Sequence, residues 1–157
     1  MHCKGLTYEE FAKGRHYTTD RRTITEADHV NFTTSFGFFE PLFMDAPYLK
    51  AETPYEGRLV PGALTFSVAE GLTILSGIIH GTGFALLGVE MTVLKPVYVG
   101  DTLYVTIDVT DKRETRNSER GIVTFFQRVL NQDGEPAMEY TARRMIRRRL
   151  PQGLDRL

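Results

Sequence analysis

The sequence predicts an α+β domain in which an antiparallel sheet wraps around one long, buried helix. Three observations lead there. Residues 63–79 carry apolar side chains at helical spacing around nearly the whole circumference. The C-terminal half alternates apolar and polar residues at the two-residue period of strands. Short runs of turn chemistry separate those strands.

The chain has 157 residues, which fits one domain over residues 1–157 and is short for two. Hydrophobic residues are 41% and charged residues 25%, a balance that fills a core without a disulfide or a metal. The 19 basic and 20 acidic side chains argue against a general nucleic-acid binder. A single cysteine, Cys3, excludes an intramolecular disulfide framework and a cysteine-based zinc site, and fits a reducing compartment. Residues 1–14 include Lys4, Glu9, Glu10 and Lys13 and lack the apolar run of a signal peptide. Thr65, Ser67, Glu70, Thr73 and Ser76 interrupt the apolar stretch 63–79, which is too short and too polar to span a membrane. A cytoplasmic protein without membrane or nucleic-acid partners is the expectation.

Taken in order, Thr7-Tyr8-Glu9-Glu10-Phe11 reads as a short helical turn, with Thr7 as N-cap and Glu10 three residues on. Residues 15–24 are polar and threonine-rich and are expected as a first strand. Thr25-Glu26-Ala27-Asp28 is a second capping pattern, so a helix over residues 25–36 follows, with Val30 and Phe32 as apolar contacts. Residues 35–56 break this regularity. Phe36, Phe38, Phe39 and Phe43 crowd among Gly37, Pro41, Pro47 and Pro54, which predicts an irregular segment folded so that these large rings leave water. Pro61-Gly62 opens the long helix, with Leu64, Val68, Leu72, Leu75 and Ile79 as one stripe. His80 is expected in its last turn, where a cation suits the helix dipole, and Gly81 just past its end.

The remaining elements are strands. Val89, Met91 and Val93 alternate with Gly88, Glu90 and Thr92. Leu103, Val105, Ile107 and Val109 alternate with Thr102, Tyr104, Thr106 and Asp108, the clearest strand signal in the chain. Tyr98-Val99-Gly100-Asp101 is a turn before it. Residues 121–130 are β-branched and aromatic, Asn131-Gln132-Asp133-Gly134 is a turn, and Met138, Tyr140 and Ala142 alternate into an arginine-rich end.

This order of elements resembles the hot dog fold of the MaoC-like dehydratases, which include R-specific enoyl-CoA hydratases. The run Lys95-Pro96-Val97-Tyr98-Val99-Gly100-Asp101-Thr102-Leu103 is similar to the family's Pro-Val-x-x-Gly-Asp-x-Leu segment between two strands. Tyr8-Glu9-Glu10-Phe11, Thr23-Ile24-Thr25-Glu26-Ala27-Asp28, Pro41-Leu42 with Asp45, Gly121-Ile122-Val123-Thr124 and Asn131-Gln132-Asp133-Gly134-Glu135 add to it. The resemblance covers residues 6–149 and is nearest to the branch of mesaconyl-CoA-type hydratases. It implies an acyl-CoA hydratase or dehydratase and pairing of sheets edge to edge, as a homodimer or with a related hot dog subunit. The family activates water with an Asp or Asn and, five residues later, a His. Here the matching positions are Phe38 and Phe43, and the family's His-Gly at the start of the long helix is Pro61-Gly62.

Several residues are candidates for what remains. The resemblance implies that the backbone N–H at Gly62 polarises the thioester carbonyl, the alternative being a plain helix start. Glu40 is a candidate for a displaced general acid or base, or a solvent-facing residue before Pro41. Asp45 is a second candidate, or an N-cap before Pro47. Phe38, Phe39 and Phe43 are packing, the wall of an acyl pocket, or both. Tyr55, with Glu56, lines the pocket mouth or faces solvent. His29, beside Asp28, is expected at the surface. His16 and His2 have no partners at metal-ligand spacing, so no metal is expected, nor any cofactor beyond the coenzyme A of the substrate. Arg144 and Arg148 share one strand face, with Arg143, Arg147 and Arg149 on the other. They clamp the phosphates of coenzyme A, or mark a solvated edge strand whose charge blocks aggregation. Three functions follow: a hydratase with altered catalytic groups, a non-catalytic subunit shaping a partner's acyl tunnel, or a thioesterase using Glu56 or Glu70.

Overall fold

The structure, a computed structural model, describes residues 5–149. Cys3 and His2 lie outside them. After a 3-10 turn at Tyr8–Glu10, the chain forms β1 (His16–Thr18), β2 (Arg22–Thr23), α1 (Glu26–Phe36), α2 (Pro41–Met44), α3 (Ala46–Glu52) and α4 (Gly62–Leu75). It ends in β3 (Gly83–Val93), β4 (Thr102–Glu114), β5 (Arg120–Leu130) and β6 (Pro136–Arg147). The strands make an antiparallel sheet ordered β1-β4-β5-β6-β3, with β2 also paired to β4. Among the described residues no helix is long and apolar enough to cross a membrane.

Both capping patterns form. The Glu10 carboxylate accepts the Thr7 N–H at 2.8 Å, and Asp28 accepts the Thr25 N–H at 2.9 Å while the Thr25 hydroxyl accepts the Asp28 N–H at 3.2 Å. The expected first strand, however, divides into β1 and β2. Thr19 interrupts it: its hydroxyl, not its backbone, accepts the Val105 N–H at 2.9 Å, and then donates to the Asp20 carbonyl. Residues 35–56 are more regular than expected. Pro41 starts α2, and Asp45 both ends α2 and caps α3, where its carboxylate accepts the Tyr48 N–H at 3.0 Å.

The sheet's inner face is set by alternation. Leu103, Val105, Ile107 and Val109 of β4, Val123, Phe125 and Val129 of β5, and Met138, Tyr140, Ala142 and Ile146 of β6 are all buried. Leu64, Val68, Ala69 and Leu72 of α4 share that core. The helix ends four residues earlier than its apolar pattern suggests. Gly77, with φ of 82°, leaves the helical path, and the Ser76 hydroxyl donates to the Thr73 carbonyl at 2.7 Å. Ile78 and Ile79 pack against the core from the following turn instead, and His80 lies in that turn. On the same face of β5 as Val123 and Phe125, Gly121 makes room for Tyr8, whose ring would stand 2.2 Å from a Cβ there.

Two arrangements fix α4 and the segment before it. The first is a buried polar cluster. Glu70 receives Arg144 Nη2 at 2.6 and 2.8 Å on its two oxygens and the Tyr140 hydroxyl at 2.9 Å. Gln127 donates to Tyr140 at 2.7 Å and to Thr73 at 2.9 Å. The Glu70 and Arg144 side chains are 16% and 7% exposed, and burial holds the Tyr140 phenol protonated. Arg144 is therefore a core residue. Its strand, β6, runs between β5 and β3, so the expectation of a solvated edge strand is overturned. Arg148 turns to Glu9 and Glu114 at 3.0 and 3.1 Å.

The second arrangement overturns the surface placement of His29, which is fully buried. Nε2 donates to the Leu59 carbonyl at 3.0 Å, and Nδ1 has no partner among the described residues. α1 thus turns polar residues inward, His29 and Thr33, and leaves Val30 and Phe36 exposed. The polar groups are satisfied locally, since the Thr33 hydroxyl donates to the His29 carbonyl at 2.8 Å. Burial, and then the Arg58 guanidinium, hold the His29 imidazole below its ordinary value, against the pull of the Leu59 carbonyl and Glu26.

Two outcomes test these anchors. Arg144→Met strands the Glu70 carboxylate in the core and lowers stability by about 3–5 kcal/mol in urea unfolding. Adding Glu70→Gln to that variant recovers part of the loss. For His29, the unfolded chain gains its proton near the ordinary value, about 6.5, and the folded chain only below it. Its contribution to stability is thus present at pH 7.5 and is lost as the pH falls toward 5.5. Melting temperatures across that range fall less steeply for His29→Gln than for the unsubstituted chain.

Candidate functional site

Leu59, Val60 and Pro61 deliver the chain to the start of α4. This stretch is held on both sides: Leu59 bridges Tyr98, the Val60 N–H donates to the Val97 carbonyl at 2.8 Å, and His29 holds the Leu59 carbonyl. Pro61 is the N-cap, buried; its carbonyl accepts the Leu64 and Thr65 N–H groups at 2.9 and 3.1 Å, which leaves those of Gly62 and Ala63 without intrahelical partners. No acidic side chain occupies that first turn, so the positive end of the helix dipole is not neutralised there.

Two adjoining cavities open at this point. The smaller, about 320 Å³, is lined by Gly62 and Thr65 of α4, by Val93 at the end of β3 and Lys95 after it, and by Met138 of β6. The larger, about 620 Å³, runs under α2 and α3 and includes Asp45, Lys50, Thr53, Glu56 and Arg58. Phe43, Tyr55 and Leu59 line both and form the wall between them.

Of the residues singled out in the sequence, Phe43, Asp45, Tyr55, Glu56 and Gly62 meet at this cleft. Phe38 stands behind Phe43, with ring centroids 6.3 Å apart, in a chain of rings continued by Phe32 and Phe36. Phe38, Phe39, Glu40 and Pro61 line neither cavity. Phe39 and Phe36 are 63% and 69% exposed, against the expectation that all four clustered phenylalanines leave water. Glu40 is exposed at the start of α2. Glu70 lies in the ion pair with Arg144 rather than at the cleft.

Leu59, Val60, Thr65, Val93 and Met138 were not foreseen as cleft residues. Val93 and Met138 are paired across β3 and β6, and only the register reveals that they face the start of α4 together. The polar side chains of the smaller cavity are Tyr55, Thr65 and Lys95. The Thr65 hydroxyl is turned to the Pro61 carbonyl at 3.5 Å, and Lys95 pairs with Glu135 at 2.8 Å. Among the described residues no group of three His, Cys, Asp or Glu side chains is placed to hold a metal ion. What the cleft offers chemically is an apolar slot ending on free backbone N–H groups at a helix N-terminus, suited to an acyl chain with a polarised carbonyl.

Comparison with known proteins agrees with this architecture. Residues 10–127 match the family described as the MaoC like domain. The uncharacterized protein YdeM of Bacillus subtilis is 31% identical over 133 residues, covering 81% of this chain and 89% of that protein. The (R)-specific enoyl-CoA hydratase of Aeromonas caviae is 34% identical over 100 residues, 64% of this chain and 69% of the hydratase. Among solved structures, a MaoC-like dehydratase from Rhodospirillum rubrum superposes with a TM-score of 0.84 at 26% identity, over 94% of this chain and 100% of that one. RV0216 of Mycobacterium tuberculosis, described as a double hotdog fold, gives 0.83 at 18% identity over 92% of this chain and 45% of its own, a likeness of fold. With its antiparallel sheet laid around α4, the chain has the hot dog fold and belongs to the MaoC-like domain family.

Proposed function

We propose that the chain binds an enoyl- or 3-hydroxyacyl-coenzyme A thioester in this cleft and acts as a hydratase or dehydratase. The observation that carries the reading is the apolar slot that ends on the free N-terminus of α4 at Gly62. Hydration adds the water oxygen to the β-carbon of the enoyl group and a proton to the α-carbon. Negative charge gathers on the thioester oxygen between those events, and N–H groups aimed from a helix N-terminus stabilise it. Asp45 and Glu56 are the carboxylates on the cleft wall, and Glu40 lies just outside it. These are the groups available to move the proton.

A second reading is favoured by Phe38 and Phe43. They stand where the family resemblance assigns the Asp and His that activate water, and neither transfers a proton. On that reading the chain shapes the acyl tunnel of a partner subunit that carries the chemistry. Either reading uses the free edge of β3. This strand pairs with β6 alone, and Leu86, Met91 and Val93 along it are exposed, as suits a strand that joins a second sheet.

Three results test the proposal. Incubated with a panel of enoyl-CoAs that includes mesaconyl-CoA, the purified chain removes the enoyl absorbance without releasing free thiol. Loss of that activity in Glu40→Gln or Asp45→Asn identifies the base. Binding without turnover supports the tunnel-shaping reading, and thiol release supports a thioesterase. Gly62→Ala keeps the fold, because a Cβ there meets only the Val93 side chain at 3.5 Å, yet narrows the slot and weakens acyl-CoA binding about tenfold, or ~1.4 kcal/mol. In sedimentation the chain runs as a dimer, and Leu86→Lys with Met91→Lys separates it into monomers.

A further inference from the structure

The smaller cavity has three side chains able to form strong hydrogen bonds, and two of them are committed. Thr65 is turned to the Pro61 carbonyl and Lys95 is paired with Glu135. The third, Tyr55, has no hydrogen-bond partner for its hydroxyl among the described residues. It is also the one polar side chain that lines both cavities. Its place is fixed by the chain around it. The Thr53 hydroxyl donates to the Leu49 carbonyl at the end of α3 and accepts the Tyr55 N–H at 3.2 Å. Four residues further on, Leu59 is held by Tyr98 and His29.

A 3-hydroxyacyl thioester differs from a saturated one by a single oxygen, two carbons from the thioester carbonyl. With that carbonyl at Gly62, the extra oxygen lies inside a slot walled by Phe43, Leu59, Val60, Val93 and Met138. An oxygen placed there without a partner loses its hydrogen bonds to water with nothing to replace them, which weakens binding. We propose that the Tyr55 hydroxyl takes the hydrogen bond of the substrate's 3-oxygen and so sets the preference of this cleft for oxygen-bearing acyl chains over saturated ones. The proposal rests on the acyl-thioester reading of the cleft. It makes Tyr55 a specificity-determining residue. It requires no proton transfer by the phenol.

The experiment is calorimetric binding of butyryl-CoA and of each enantiomer of 3-hydroxybutyryl-CoA to the full chain, to Tyr55→Phe and to Tyr48→Phe. Tyr55→Phe keeps the ring and therefore the cleft wall. The expected result is that one 3-hydroxybutyryl-CoA enantiomer binds about tenfold more weakly to Tyr55→Phe while butyryl-CoA changes less than about twofold. Tyr48→Phe, on α3 and outside both cavities, leaves both affinities unchanged. An equal loss for both ligands in Tyr55→Phe means that the phenol serves the wall or the thioester carbonyl, and overturns the proposal. So does the absence of any loss, or the same selective loss in Tyr48→Phe. An unsubstituted chain that binds none of these thioesters overturns the acyl-thioester reading, and the assignment of Tyr55 with it. Absence of a selective loss in Tyr55→Phe, with normal binding by the unsubstituted chain, leaves that reading standing and removes only the assignment.

Discussion

An apolar helix must be covered on nearly every side, and in this chain most other features answer to that requirement. α4 lies on a concave sheet whose inner faces supply the cover. Apolar contact alone fixes the helix's distance from the sheet better than its rotation about its own axis, because a surface of Leu and Val tolerates sliding. The polar cluster removes that freedom. Glu70 and Thr73, on one side of α4, meet Arg144, Tyr140 and Gln127 on β6 and β5 through directed bonds that only one rotation satisfies. An ion pair buried this deeply adds little to stability compared with an apolar substitute, but losing one partner is costly. Its effect here is to set where Gly62 and Thr65 face, and hence the existence of the smaller cavity.

The other wall of the cleft has a different origin. α2 and α3 are short, and Asp45 joins them by closing one and capping the other. They carry Phe43 and Leu49 to the cleft while leaving Phe39 outside it. The linker from Thr53 to Pro61 is then bound at points spaced along its length: Thr53 to Leu49, Leu59 to Tyr98 and His29, Val60 to Val97. A loop so tethered keeps its side chains in place without belonging to a helix or strand. This is why a tyrosine in the middle of it can line both cavities from a fixed place in the chain.

Much of the fold was legible in the sequence because its signals are local. Thr25 with Asp28, Thr7 with Glu10, and Asp45 before Pro47 each announce a helix start within four residues, and each forms. The alternation in β4 is equally local. What was missed depends on partners far away in sequence. The apolar pattern through Ile79 gives no sign that Gly77 ends the helix in a left-handed turn. His29 and Thr33 are polar and yet face inward, because the Leu59 carbonyl, thirty residues away, needs a donor. Arg144 looks like one of a solvated run until Glu70 is brought beneath it. Of the site, Gly62, Phe43, Asp45 and Tyr55 were found through the resemblance and the loop position, while Val93 and Met138 become visible only once the register of β3 on β6 is known.

The distribution of polar groups around the cleft separates binding from chemistry. The parts that the proposed thioester binding would use are backbone N–H groups, an apolar wall and one uncommitted hydroxyl, and they rest on anchored elements. The groups able to move a proton are carboxylates on short helices and loops: Asp45 already accepts a backbone N–H, and Glu56 and Glu40 are exposed. Binding geometry of this kind survives the replacement of a single polar side chain, because most of it is main chain and packing. Proton transfer does not, because it requires one group within hydrogen-bond reach of one atom. On the acyl-thioester reading, a cleft that keeps its helix N-terminus and its wall, while the resemblance matches Phe38 and Phe43 to the family's proton-moving groups, is better built to hold a thioester than to activate water by the family's usual route. On that reading, the carboxylates available for the proton-transfer step, Asp45 and Glu56, lie on the α2–α3 side of the cleft.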